Sequence, residues 1–196
     1  MDYVYGYKTN DTRNNLHLTS NGNYIWQSAA LGIIYDANAN SQKFFGGGFV
    51  DNKAKNVSND NNAHTDDILS IKYNPQTNQC VSGQVGHAPA AFLWDASSGQ
   101  KAQRFKLPKG SRGINAVAIS CDGQRVVCVD LHNDHRVHYF DASSGSCLWT
   151  ENGDTATIFD AAFTKESGKY DFITVGSKHV KFWYGADQKC DKGLYD

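Results

Sequence analysis

From residue 68 onward the chain alternates apolar and polar side chains in short runs, and the runs are separated by tight polar turns. ILSIKYN (68–74), QCVSGQ (79–84), AAFLWD (90–95) and QKAQRFKL (100–107) form one series. INAVAIS (114–120), RVVCVD (125–130), RVHYFD (136–141) and SCLWTE (146–151) form a second, and TIFDAAF (157–163), FITVGS (172–177) and KHVKFWY (178–184) a third. A period of two over five to eight residues, punctuated by Gly, Ser, Asn and Asp, predicts strands in antiparallel sheets. Asp122-Gly123 between two such runs is a strong hairpin signal.

One local pattern occurs four times. LGIIYDANANSQ (31–42), AFLWDASSGQ (91–100), VHYFDASSGS (137–146) and KHVKFWYGADQK (178–189) are each an apolar strand stopping at an aromatic, followed by a small polar turn. Trp94 and Phe140 are 46 residues apart, and Phe140 and Trp183 are 43 apart. That step matches the roughly 40–45 residues of a WD-type blade of four antiparallel strands. The expected fold is therefore all-β: a WD-repeat β-propeller of about four blades, a partial propeller of a longer protein. Tyr35, Trp94, Phe140 and Trp183 are expected at equivalent third-strand ends, largely buried.

Tyr35 and Trp94 lie 59 residues apart, and GGGFVDNKAKNVSNDNNA (46–63) accounts for the surplus. Its composition reads as a projecting surface insertion. The expected organisation is a first motif and blade end over 1–45, the insertion over 46–63, full blades over 64–108 and 109–155, and a truncated blade over 156–196. WD blades usually link a loop His, a strand Ser/Thr, a loop Asp and the Trp. The 64–108 repeat offers His64, Ser82 and Trp94 without the Asp. The next repeat has neither the Trp nor the opening His. The last keeps Trp183 and Ser177, with Lys178-His179 where Asp is commoner. Apolar packing is expected to outweigh polar networks.

With 40% hydrophobic and 20% charged residues the composition is that of an ordinary globular chain, and the formal net charge of −1 supplies no overall basic field for nucleic acid or acidic lipid. No apolar run approaches 18 residues, and MDYVYGYKTN has no secretory pattern, so neither membrane partner nor secretion is expected. Five cysteines without a CxxC pair, three of them (Cys80, Cys128, Cys147) in apolar runs, read as small buried hydrophobes in a reducing cytoplasm. Asp130, His132, Asp134, His135 and His138 hold metal-ligand chemistry, but the spacing favours a solvated loop with one core histidine. No GxSxG elbow, HExxH or phosphate-cradling loop is present, so no catalytic site, metal or cofactor is expected. Lys101, Arg104, Lys106, Lys109 and Arg112 form a basic stretch: a patch for an acidic partner, or an outer strand carrying solubilising charge.

Tyr3-Val4-Tyr5-Gly6-Tyr7 followed by Arg13-Asn14-Asn15-Leu16 resembles the HELP motif (hydrophobic motif of EMAP-like proteins), with Thr12 where that motif usually has Cys. Gln42-Lys43-Phe44-Phe45, His64-Thr65-Asp66-Asp67-Ile68, Gly83-Gln84-Val85-Gly86 and Gly176-Ser177-Lys178-His179-Val180-Lys181-Phe182-Trp183 follow in the order of the family's blade signatures. The chain is thus similar to the echinoderm microtubule-associated protein-like (EMAP-like) family. The resemblance implies a HELP motif built into a propeller. It further implies a non-enzymatic scaffold binding tubulin, microtubules or other cytoskeletal proteins, in the cytoplasm, the cytoskeleton or a ciliary axoneme. The alternative is a WD-repeat adaptor in another multiprotein complex.

Overall fold

A computed structural model describes residues 2–46, 62–86, 88–164 and 169–193. Most of the 46–63 insertion, residues 47–61, lies outside them. Among the described residues four sheets follow one another, each of four strands in chain order and antiparallel throughout. Blade I comprises β1 (His17–Leu18), β2 (Tyr24–Ser28), β3 (Leu31–Asp36) and β4 (Ser41–Phe45). Blade II comprises β5 (Ile68–Asn74), β6 (Gln79–Gln84), β7 (Ala90–Asp95) and β8 (Lys101–Lys106). Blade III comprises β9 (Ile114–Ile119), β10 (Arg125–Asp130), β11 (Val137–Asp141) and β12 (Cys147–Glu151). Blade IV comprises β13 (Ile158–Phe163), β14 (Phe172–Gly176), β15 (His179–Tyr184) and β16 (Lys189–Lys192). The first strands β5, β9 and β13 pack on one another, so they line the axis, and β8, β12 and β16 form the rim. This is a partial WD-type propeller. No helix of the described residues is long and apolar enough to cross a membrane.

The blades repeat in register. Tyr35 pairs with Tyr24 and Gln42, Trp94 with Cys80 and Lys101, Phe140 with Val126 and Cys147, and Trp183 with Phe172 and Cys190. The last three of these aromatics are turned toward the preceding blade. Trp94 stacks on Phe45 of β4 at 5.2 Å with an interplanar angle of 7°, Phe140 meets Phe105 of β8 at 5.3 Å, and Trp183 stacks on Trp149 of β12 at 6.1 Å. Trp94, Phe140 and Trp183 are 0%, 0% and 1% exposed. Tyr35, expected to be largely buried too, is only half-buried. No outer strand of a preceding blade is described beside it; Tyr3 meets it edge-on at 6.3 Å instead.

The N-terminal segment occupies that face of blade I. Gln42 clasps the Val4 backbone with two hydrogen bonds, its Oε1 accepting from the Val4 amide at 2.8 Å and its Nε2 donating to the Val4 carbonyl at 3.0 Å. Trp26 Nε1 donates to the Gly6 carbonyl at 3.0 Å. Farther on, Lys8 pairs with Asp67 at 2.7 Å, a ring nitrogen of His17 lies 3.0 Å from the Ile71 carbonyl, and the Arg13 guanidinium sits 4.5 Å from the centre of the Phe159 ring. Asp160 of β13 accepts from Asn14 and, at 2.9 Å, from Lys72 of β5. One segment thus ties the first blade to the second and the fourth.

The turns after the aromatics explain the acid that follows three of them. Asp95 Oδ1 accepts from the amides of Ser97 and Ser98, Asp141 Oδ1 from the amide of Ser144 and the hydroxyl of Ser143, and Asp36 Oδ1 from the amides of Asn38 and Ala39. The fourth turn residue has positive φ in every blade: Asn40 47°, Gly99 71°, Gly145 73°, Gln188 56°. Such backbone favours Gly and Asn. A different glycine answers to packing. A Cβ on Gly32 would lie 2.8 Å from Trp94 Cζ2, so the residue must be bare for the indole to seat.

Among the cysteines, Cys80 and Cys128 are buried as expected, whereas Cys147 is exposed because it opens the rim strand β12. Trp94→Ala removes a fully buried indole together with its stack on Phe45. We expect a loss of ~3–5 kcal/mol in urea denaturation; a change below ~1 kcal/mol would contradict the packing described.

Candidate functional site

Two kinds of polar feature stand out: networks buried between strands, and a cationic stretch on the rim. The first is structural. In blade II, Trp94 Nε1 donates to Ser82 Oγ at 3.0 Å, and Ser82 Oγ lies 2.7 Å from His64 Nε2. His64 Nδ1 lies 2.8 Å from Gln84 Oε1, which can only accept. The proton is therefore on Nδ1, and Ser82 donates to Nε2. Gln84 takes the place of the Asp whose absence the sequence showed. Burial pushes the His64 pKa down to about 4, against the raising effect of Gln84.

Blade III replaces this chain with a charged one. Asp130 Oδ2 accepts from Ser111 Oγ at 2.6 Å and from Arg136 Nη2 at 2.8 Å, and lies 3.1 Å from His138 Nε2. His138 Nδ1 lies 2.9 Å from Thr150 Oγ1. Burial opposes ionisation of Asp130, but the hydrogen bonds from His138 and Ser111 outweigh it and hold the carboxyl well below the usual range. His138 is the core histidine. Asp130, read from sequence as part of a solvated loop, is 0% exposed and held by protein donors.

Blade IV differs again. Trp183 Nε1 donates to Thr174 Oγ1 at 2.9 Å, so Thr174 and not Ser177 is the indole's partner. Thr174 pairs across the sheet with Lys181, as Ser82 pairs with Phe92, whereas Ser177 lies beyond the end of β14. Lys181 Nζ pairs with Asp154 at 2.9 Å and also donates to the Gly153 carbonyl. His179 opens β15, its Nδ1 3.9 Å from Asp154 Oδ1. Burial works against ionisation of Asp154, yet the Ala156 amide and Lys181 lower it to about 2. Polar networks thus fill a site in each of the last three blades, more than the expectation of mainly apolar packing allowed.

The rim carries the candidate interaction surface. β8 pairs with β7 in the order Ala90↔Lys106, Phe92↔Arg104, Leu93↔Gln103, and the register then shifts so that Trp94 meets Lys101. Cross-strand partners share a face. The bulge at Ala102 therefore turns Lys101 to the same side as Arg104 and Lys106; uninterrupted alternation would have put it opposite. That side looks toward blade I, where Arg104 lies 5.9 Å from the centre of the Phe92 ring. Lys101 and Lys106 are exposed and Arg104 is half-buried. Lys43 of β4 reaches into the same rim cleft, its Nζ donating to the Ser97 carbonyl at 3.0 Å in the turn that leads into β8. Burial opposes ionisation of Asp95 there, but bonds from Ser98 and Ser97 and the nearby Lys43 charge lower its pKa.

Sequence reasoning missed Lys43 because it comes from another blade. Its face could have been read by aligning β4 with β8. The remaining two cations of the stretch stand apart. Lys109 sits in the exposed connection to β9, and the Arg112 guanidinium donates to Asn133 Oδ1 at 3.2–3.3 Å.

A partial WD-type propeller preceded by a strapping segment is the class of protein these features define. The HELP motif family model matches residues 1–33, the segment that clasps blade I together with β1, β2 and the start of β3. The ciliary WD repeat-containing protein ctxp80 of Euplotoides octocarinatus is 39% identical over 197 residues, covering 100% of this chain and 28% of that protein. Echinoderm microtubule-associated protein-like 3 of Homo sapiens is 25% identical over 193 residues, 93% of this chain and 20% of that protein. Echinoderm microtubule-associated protein-like 2 of Rattus norvegicus is 25% identical over 208 residues, 100% and 29%. The chain, a HELP-motif match followed by WD-type blades, is similar to EMAP-like proteins, and it spans about a quarter of the length of these curated relatives.

The His64 geometry sets a pH dependence. A histidine held neutral in the fold, with its pKa depressed to about 4, binds its proton in the unfolded chain first. Stability is full above pH ~6.5 and falls as pH drops toward 4, by up to about 3 kcal/mol. His17, also lowered by burial, adds to the same slope. In urea titrations at pH 7, 5.5 and 4.5, His64→Gln should flatten the decline without abolishing it. An unchanged slope would contradict the buried neutral imidazole.

Proposed function

We propose that the protein is a non-enzymatic cytoskeletal scaffold that binds tubulin or microtubules, in the cytoplasm or in a ciliary axoneme. The observation carrying this reading is the join between the HELP-matched segment and the blades: residues 1–33 match the motif and the whole chain matches proteins named for microtubules or cilia. The mechanism is surface complementarity. Packed blades hold the rim strands and loops rigid, and the Lys101, Arg104 and Lys106 face of β8 supplies local attraction for an acidic partner on a chain whose formal net charge is only −1. Neither membrane nor nucleic acid enters the reading.

The test is co-sedimentation of the full-length protein with microtubules at low and moderate salt. Binding should weaken as salt rises, since exposed charges are screened beyond about 8–10 Å at moderate salt. Lys101→Glu, Arg104→Glu and Lys106→Glu together should reduce the bound fraction several-fold at low salt. Undiminished binding by the triple variant would move the interface to another part of the chain. No sedimentation of the wild type would favour the adaptor reading.

A further inference from the structure

The outer strands hand one hydrogen bond from blade to blade, and blade IV reverses it. Lys43, Gln103, Trp149 and Asp191 occupy the same place in β4, β8, β12 and β16. Each lies opposite the residue that precedes the third-strand aromatic, namely Ile34, Leu93, Tyr139 and Phe182. The first three donate to a main-chain carbonyl in the turn of the following blade: Lys43 to Ser97 at 3.0 Å, Gln103 to Ser143 at 2.8 Å and Trp149 to Gly185 at 2.6 Å. Asp191 is a carboxylate, and an ionised carboxylate only accepts. A group that lies against it must bring a donor, and a positive charge suits it best.

The aromatic side chains around Asp191 agree. Phe182 and Tyr184 flank Trp183 in β15, so they point to the side opposite the indole, which packs on blade III. Tyr170, from the connection between β13 and β14, lies across them, its ring centre 5.1 Å from that of Phe182 and 5.0 Å from that of Tyr184. The Tyr170 and Tyr184 hydroxyls both donate to Asp191 Oδ2, at 2.6 and 2.8 Å. These bonds, with Lys169, hold the carboxyl down to about 2. Lys169 Nζ lies 3.2 Å from the same oxygen and 5.0 and 5.6 Å from the centres of the Tyr170 and Tyr184 rings. Two tyrosine rings and one carboxylate oxygen thus converge on an ammonium, the arrangement by which aromatic cages recognise such cations. A guanidinium would favour the two oxygens of a carboxylate side by side, whereas here one oxygen takes the phenols and the point charge together.

The resident cation is loosely held. The Lys169 side chain is 65% exposed and that of Asp191 47%, and an ion pair so exposed contributes little. When Lys169 leaves, the two phenols still hold Asp191, so the cage does not depend on its occupant. We propose that the face of blade IV turned away from blade III receives a lysine side chain of a partner protein, with Tyr170, Tyr184 and Asp191 as the cage and Lys169 as the resident ammonium that the incoming lysine displaces. The site uses none of the β8 cations and stands independently of the microtubule reading.

The experiment is an NMR titration of the full chain carrying carbon-13-labelled tyrosine, with Tyr170 and Tyr184 assigned through their Phe variants. The probe is an acetylated, amidated Gly-Ser peptide with one central lysine, beside the same peptide with norleucine in its place. The lysine peptide should shift both ring signals saturably, and the norleucine peptide should leave them unmoved. Lys169→Ala, which empties the cage, should lower the half-saturating concentration by about threefold, the scale of an exposed ion pair. Asp191→Asn added to Lys169→Ala should abolish saturation. Thermal melts establish that each variant is folded; should Asp191→Asn melt early, Tyr184→Ala in the same background, read at Tyr170, carries the test and should also weaken binding. No ring shift with either the wild type or Lys169→Ala would overturn the proposal. So would an equal response to norleucine, no tightening on loss of Lys169, or binding that survives loss of the carboxylate.

Discussion

The contact between an outer-strand aromatic of one blade and the third-strand aromatic of the next is the interaction on which this architecture depends. Phe45 against Trp94, Phe105 against Phe140 and Trp149 against Trp183 join blades I to II, II to III and III to IV. A four-stranded sheet of five- or six-residue strands buries too little on its own to be stable. Each blade therefore exists because its neighbour covers it. The consequences reach down to single positions: Gly32 is bare so that Trp94 can lie on it, and Gly99 and Gly145 are bare where their turns press on the rim strand of the preceding blade. The indole nitrogens, buried by the same packing, set the polar chains that follow, with Ser82 and Thr174 as acceptors in blades II and IV.

The N-terminal segment is what the same constraint produces where no preceding blade is described. It lies on the face of blade I that corresponds to the stacked faces of blades II to IV, with Trp26 and Gln42 holding its backbone. Tyr35 remains half-buried, and Tyr5 stands 92% exposed. From there the chain crosses toward the axis, and Asp160 gathers Asn14 and Lys72 into one cluster. The HELP-matched segment is thus part of the packing of the blades, continuous with it and not an appendage.

Much of the fold was legible in the sequence because the repeat leaves a mark in each blade: a strand ending in an aromatic, then a turn whose fourth residue is Asn40, Gly99, Gly145 or Gln188. The positive φ at that place constrains residue choice strongly enough to be read by eye in three of the four. What was not legible depended on register. Thr174 was passed over for Ser177 because alternation does not say which residue of β14 faces the indole. The grouping of Lys101 with Arg104 and Lys106 depends on one bulge, invisible to period-two reading. Gln84 in the place of an Asp, and Asp130 buried at the end of β10 beside a loop that looked solvated, are long-range facts. The rim face belongs to the same class, since its fourth cation, Lys43, comes from 58 residues before Lys101 in the chain.

The dependence of the blades on their aromatic contacts is tested most directly by a double-mutant cycle at the first of them. Phe45→Leu, Trp94→Leu and the double variant would be compared with wild type by urea denaturation of the full chain. If the stack couples blade I to blade II, the two single losses should be non-additive by about 0.5–1.5 kcal/mol, the coupling of a buried aromatic pair. Losses that add to within about 0.3 kcal/mol would contradict the account.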